Sequence, residues 1–304
     1  LPNNVKVLSL GKEHGVSRLR YLFCFYTYIW KYRKEYDKVF VHMNPEYVVL
    51  GGLFWRLLKK KISLWYVHRQ VNFKLRIAEK LCSKIFSVSP ESFRVKSKKV
   101  SFVGHGIDTK KFKCGSEKLV KDKFQIISVG RITRIKNLDV LIKAVALLPD
   151  QVKKNVCVKL VGAPVTADDN EYKTEIEKII LERRLGSVVS FVGSISQEKI
   201  VRLYCESSLS VNLAPTGGMD KAVLESMSCG VKTLFANDAF LSVVENYRDQ
   251  LQFRLGDEDD LKDKIVDMFN LDQSGHKEMS GLLQGQVVNN YGIEKLINKI
   301  LITQ

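Results

Sequence analysis

Acid is scarce in the first third of this 304-residue chain, and long apolar runs and ordered cysteine spacings are missing throughout. The aromatic-rich stretch at residues 21–30 is only ten residues long. A helix that crosses a bilayer needs about 20 apolar residues, so no span is expected. Six cysteines, at positions 24, 82, 114, 157, 205 and 229, follow no metal-ligand spacing. Cys24, Cys157, Cys205 and Cys229 lie in apolar contexts, which suits free thiols in a reducing compartment. From Leu1 onward no signal peptide is visible. These absences lead to the expectation of a cytoplasmic protein without a structural metal. No recognisable RNA- or DNA-binding motif accompanies the positive charge, so nucleic acid is not expected as a partner.

What the chain does have is apolar content, charge asymmetry and two phosphate-facing motifs. At 45% hydrophobic residues it can bury two modest cores, so two domains are expected. The net charge of +16 is unevenly shared. Residues 1–116 carry 24 Lys and Arg against 7 Asp and Glu, a balance of +17, whereas the remainder carries 25 against 26. A basic first part suggests an anionic acceptor or a negatively charged membrane surface. Arg18, Arg20, Lys31, Arg33 and Lys34 bracket the aromatic stretch at 21–30. That stretch reads either as an interfacial element or as a core helix with basic ends.

The richer motif runs from Pro215 to Gly230, P-T-G-G-M-D-K-A-V-L-E-S-M-S-C-G. Gly217 and Gly218 allow a ligand to approach the backbone closely, because no Cβ intervenes. From Asp220 a helix is expected, and the free N–H groups of its first turn suit a phosphate. Glu225 then lies about one and a half turns in, where its carboxylate can accept bonds from two ribose hydroxyls. About ninety residues upstream, Q-I-I-S-V-G-R-I-T-R-I-K-N-L from Gln125 to Leu138 reads as a strand, a turn and a helix start. Arg131 and Lys136 stand at the carboxyl end of that strand, where ligands of parallel sheets collect. Both can neutralise a diphosphate without a metal.

Together the two motifs resemble the carboxy-terminal half of the retaining glycosyltransferases of family 4, which have the two-domain GT-B fold. The resemblance implies that Arg131 and Lys136 bind the donor diphosphate, with Lys136 five residues after Arg131 as in the family. It implies that Glu225 holds the ribose. The segments at 159–162 and 189–195 resemble two further family strands, which assigns the nucleobase to the loop of Gly193, Ser194 and Ile195. Eight positions before Glu225, where the family has a first glutamate facing the donor sugar, stands Gly217. Asp220 is the nearest carboxylate, and it either takes a sugar hydroxyl or caps the helix. The amides of Gly218, Met219, Asp220, Lys221 and Ala222 remain for the phosphates.

Before these motifs, alternating strands and helices predict a parallel sheet: strands at 37–43, 62–67, 84–89 and 100–103, with helices at 45–58 and 73–81. They resemble the second half of the family's acceptor domain. His68 follows a strand, and its family counterpart contacts the donor sugar near the reacting carbon; the other reading is a structural histidine bonded to a neighbouring carbonyl. His105, in the turn beside Gly106, and His42, at the end of another strand, are acceptor-side candidates. Residues 1–10 read as a further strand. The family's opening strand and glycine-rich loop are not found, so the resemblance implies an incomplete first domain, from either a fragment or a natural short form.

The implied architecture is α/β GT-B with two Rossmann-like domains: an incomplete acceptor-side domain at 1–113, a nucleotide-sugar domain at 114–286 and a terminal helix at 287–304 that crosses back. The implied activity is transfer of a hexose from a nucleotide-diphosphate sugar, UDP-linked rather than GDP-linked, to an anionic or membrane-associated hydroxyl acceptor with retention. No cofactor beyond the donor is expected. The alternatives are a sugar-nucleotide epimerase, and a binding protein or subunit that needs a second polypeptide to supply the missing segment.

Overall fold

The computed structural model describes residues 3–68, 70–115, 123–215, 218–244 and 247–303. The chain divides into two compact units, Leu1–Val103 with Ile300–Gln304, and Gly104–Lys299. No helix among the described residues is long and apolar enough to cross a membrane.

In the first unit four parallel strands pair in sequence order: β1 (Lys38–His42), β2 (Lys61–Trp65), β3 (Lys84–Ser87) and β4 (Val100–Phe102). Parallel neighbours need a crossover connection, and helices Pro45–Leu57 and Phe73–Leu81 supply the first two. Both helices start where the sequence offers a side-chain acceptor for a free first-turn N–H. Asn44 accepts from Glu46 N, and Asn72 accepts from Leu75 N. The stretch at 21–30 lies within helix Arg18–Lys31, capped by Ser17. Its buried residues are Tyr21, Phe25 and Ile29, at helical spacing, and the edge of the Phe25 ring meets Trp55 at 5.9 Å. Leu19, Phe23 and Trp30 on the same helix are 81%, 74% and 60% exposed, so this amphipathic helix keeps apolar surface on both faces.

The strand expected at 1–10 is not formed over its described residues 3–10. Val5 and Val7 are about half and two-thirds exposed, at 48% and 67%, and no neighbouring strand among the described residues satisfies their backbone. An alternating apolar pattern makes a strand only where a partner edge accepts its hydrogen bonds.

The second unit holds five parallel strands: β5 (Phe124–Val129), β6 (Val156–Val161), β7 (Val189–Gly193), β8 (Leu209–Asn212) and β9 (Lys232–Phe235), in the order β7-β6-β5-β8-β9. The chain first steps outward from β5 through β6 to β7, then returns to the other side of β5. That reversal is a topological switch point, where the crossovers diverge and leave a crevice at the carboxyl ends. Helix Leu138–Ala146 is buried at six of its nine positions. A capping box between Thr166 and Asp169 starts helix Ala167–Glu182.

Of the four cysteines expected as free thiols, Cys205 alone departs from the expectation. Cys114 and Cys205 form a disulfide across 91 residues of sequence, whereas Cys24, Cys82, Cys157 and Cys229 are free. A pairing this distant depends on the path of the folded chain, which local apolar context does not carry.

Candidate donor site

At the carboxyl ends of the second sheet, three strand ends meet backbone to backbone. Gly130 N donates to Val161 O at 2.9 Å, and Gly162 N donates to Gly193 O at 2.9 Å. The contact is close enough to exclude side chains. A Cβ on Gly162 would lie 1.9 Å from the Gly130 carbonyl oxygen, and Gly162 has φ of 138°. The absent side chain lets the turn carrying Arg131 fold over the end of β6. From β7 to β8 the rim spans three strand spacings, about 14 Å.

Beyond Gly130 the chain makes a short turn at Arg134–Lys136, and Asn137 takes left-handed backbone with φ of 46°. Its amide donates to Leu213 O at 3.2 Å, which ties the β5 turn to the end of β8. Arg131 is exposed and has no ion-pair partner among the described residues. Arg134 is held away from the rim by two bonds of 2.7 Å to the Glu175 carboxylate.

Lys136 donates to Asp220 Oδ2, and Asn212 Nδ2 donates to the same oxygen at 3.0 Å. The other Asp220 oxygen accepts from Ala222 N at 3.3 Å and caps helix Lys221–Ser228. Of the two readings of Asp220, this one capping bond and ion pair supports the cap. Burial raises the Asp220 pKa, but the charge and bond of Lys136, with the bonds from Asn212 and Ala222, outweigh it. The carboxyl is therefore held below its ordinary value and stays ionised. Glu225 lies half-buried further along the same helix, and burial is the main cause that raises its pKa. Lys221 partly offsets that rise and Asp220 adds to it.

Second contacts fix the loop in place. Asn237 Nδ2 donates to Gly218 O at 3.3 Å, and Tyr204 OH donates to Ala222 O at 3.2 Å. Gly217 lies outside the described residues. Met219 packs against the core of the second unit. Ser194 follows Gly193, which has φ of 78°, and Ile195 is partly buried against the same core just before helix Gln197–Cys205.

His105 falls in the second unit, where its turn packs beside Met219, Asp220 and Lys221. Burial, helped by the charge of Lys221, lowers its pKa to about 4, so the ring is neutral at physiological pH. Its buried Nδ1 has no hydrogen-bond partner among the described residues, and neither has Asn212 Oδ1. In the first unit His42 is exposed and stacks on Trp65, with ring centroids 6.5 Å apart. His68 is also exposed, and its Nδ1 accepts from Gln70 N at 3.1 Å.

Sequence reading had passed over Asn212, Asn237 and Tyr204. Asn212 carried a usable signal, an amide ending a buried strand at the ligand-collecting edge. Asn237 likewise follows the end of β9 by two residues. Tyr204 offered none, since its hydroxyl reaches the loop only through the packing of helix Gln197–Cys205.

Residues 109–279 match the family described as Glycosyl transferases group 1. Among curated proteins, the chain is 22% identical over 211 residues to an uncharacterized glycosyltransferase of Methanocaldococcus jannaschii, covering 64% of this chain and 47% of that one. It is 29% identical over 151 residues to D-inositol 3-phosphate glycosyltransferase 2 of Catenulispora acidiphila, covering 45% and 34%. The chain thus spans about half the length, or less, of these curated relatives. Among solved structures, Anabaena HepE in complex with UDP superposes with a TM-score of 0.78 at 18% identity, covering 92% of this chain and 81% of that one. HepE has also been solved with UDP-glucose. The two parallel-sheet units are those of the GT-B fold.

Proposed function

The chain belongs to the group 1 glycosyl transferases, and from that membership we propose that it moves a hexose from a UDP-sugar to an acceptor hydroxyl with retention of configuration. The observation that carries this reading is the cluster of Lys136, Asp220 and Asn212 at the switch point, with Arg131 on the same rim. The nucleobase rests at Gly193, Ser194 and Ile195, the ribose on Glu225, and the diphosphate over Arg131, Lys136 and the amides of residues 218–222. HepE, whose structures hold UDP and UDP-glucose, supplies the choice of base.

Charge decides how the leaving group is held. Asp220 already offsets Lys136, so the pair brings no net charge to a diphosphate. Arg131, Lys221 and the N-terminus of helix Lys221–Ser228 supply the surplus, and their preorganisation stabilises the departing UDP. The acceptor hydroxyl attacks on the face the diphosphate leaves, and a phosphate oxygen takes its proton. No metal enters this scheme. His68 serves the donor sugar and His42 the acceptor. The neutral His105, with its open Nδ1, is suited to a hydroxyl beside the loop. Asp220, bound by Lys136, is not free for the acid–base work an epimerase needs.

The acceptor is anionic or lipid-linked, because the first unit joins a large positive balance to the exposed Leu19, Phe23 and Trp30. Such a surface suits peripheral binding at an anionic membrane face. The test is calorimetric titration of UDP, GDP, UDP-glucose, UDP-N-acetylglucosamine and GDP-mannose without metal, on wild type and on the Arg131→Ala/Lys136→Ala double variant. Micromolar binding of UDP-linked ligands, lost in the variant, is expected. Equal binding by wild type and variant would overturn the donor site; binding without turnover on any acceptor would favour a binding subunit.

A further inference from the structure

At the opposite edge of the second sheet, where the strands begin, three sulfurs converge. The Sγ atoms of Cys114, Cys205 and Cys229 all lie within 4.8 Å of one another. Cys114 and Cys205 are bonded, and Cys114 Sγ lies 3.1 Å from the carbonyl oxygen of Cys229. The bonded pair is half-buried and lines an open cavity of about 690 Å³, with Lys123, Lys277 and His276 also on its walls. Cys229 is buried, at 3% exposure. The disulfide is thus reachable from solvent, and the free thiol stands behind it.

We propose that Cys114, Cys205 and Cys229 form a thiol–disulfide exchange site that takes a small thiol from solvent. The thiolate of the small thiol attacks Cys114 Sγ, the Cys114–Cys205 bond breaks, and Cys205 leaves as a thiolate that takes up the proton the small thiol had lost. Cys229 Sγ then attacks Cys114 Sγ in the mixed disulfide. A Cys114–Cys229 bond forms, and the small thiol leaves carrying the proton of Cys229. Across the two steps one protein disulfide is replaced by another, the small thiol is returned and no net electrons are consumed. Burial pushes the Cys229 thiol up to about 12, which assigns the first attack to the incoming thiol rather than to Cys229. Lys123 and Lys277 favour an anionic thiolate in the cavity.

The exchange has a route to the donor rim, a consequence that rests on the proposed UDP site. Cys205 ends helix Gln197–Cys205, which starts two residues after Ile195. Cys229 directly follows helix Lys221–Ser228, whose N-cap is Asp220. Both helices begin at the rim and end at the sulfurs, about 13 Å away. Exchange therefore moves the tether of Cys114 from the helix behind the base loop to the helix behind the phosphate loop.

The test is peptide mass mapping under non-reducing conditions on the full chain, before and after incubation with glutathione, with Cys205→Ser as the second protein and Cys157→Ser as control. Wild type should show Cys114–Cys205 alone. Reduced glutathione should then populate Cys114–Cys229 and a glutathione adduct on Cys114, and Cys205→Ser given glutathione disulfide as the oxidant should form Cys114–Cys229 with release of two reduced glutathiones. Absence of any Cys229 disulfide in both proteins would overturn the proposal, as would a tightly held zinc ion that shields all three thiols. UDP calorimetry on the two disulfide forms should differ about fivefold in Kd. Equal Kd values would overturn the control of the rim, and UDP binding to neither form would sink the donor reading while the exchange stands on the mapping.

Discussion

The two units differ in where their polar chemistry is kept. In the second, the polar groups of the candidate site face one another: Lys136, Asp220, Asn237, Tyr204 and the amide nitrogen of Asn212 each have a partner within the unit. In the first, the functional candidates His42 and His68 are exposed and held only by a stacked ring or one backbone bond. Both units bury a core of their own, and the first also leaves Leu19, Phe23, Trp30, Leu53 and Leu57 largely in solvent, three of them on one helix. A phosphate site needs fixed donors, because groups that must reorganise lose much of their electrostatic advantage. A surface that meets varied or extended partners gains from exposed charge and aromatics instead. Under the proposed function, donor recognition rests on groups fixed within one unit and acceptor recognition on an exposed surface.

The sharpest way to break this contrast is to disturb the prebuilt rim. Gly162→Ala places a methyl group 1.9 Å from the Gly130 oxygen. The expected loss is about 3 kcal/mol of stability, by thermal or urea unfolding, together with lost UDP binding. A pH titration separates the units next. His105 has its pKa lowered from 6.5 to about 4, so the unfolded chain binds its proton first as pH falls. Stability should therefore decline between about pH 6.5 and 4, by about 3 kcal/mol in all, and His105→Gln should flatten that slope. Unfolding curves at pH 7, 5.5 and 4 on both proteins check it; parallel slopes would refute the assignment to His105.

Charge removal comes third in size. Arg131→Ala/Lys136→Ala is expected to weaken UDP binding about 100-fold, near 2.7 kcal/mol, when measured by calorimetry. Lys136→Ala alone should also cost about 1–3 kcal/mol of stability, because it leaves Asp220 partly buried without its cation. The smallest effect sharpens the comparison from the other side. Phe23→Ser with Leu19→Ser should change stability by less than about 0.5 kcal/mol, since both side chains are exposed. The same pair should weaken sedimentation with vesicles containing an anionic lipid; unchanged sedimentation would remove the membrane from the acceptor reading.

The sequence by itself determined the alternation of strands and helices, the strand-end positions of Arg131, Lys136 and Gly193, the helical position of Glu225, and the charge imbalance between the two parts. These are legible because helix and strand periods, caps and glycine turns act over a few residues, and a parallel sheet puts its ligand groups at a known end. Tertiary structure alone decided that Lys136 meets Asp220 across 84 residues, that Cys114 pairs with Cys205 across 91, and that His105 sides with the donor loop. It also decided that residues 3–10 stay unpaired despite their alternating pattern. The physical reason is common to all four. A contact between distant residues, or a strand's need for a partner edge, is a property of how the elements pack, and no local spacing encodes which partner a side chain will meet.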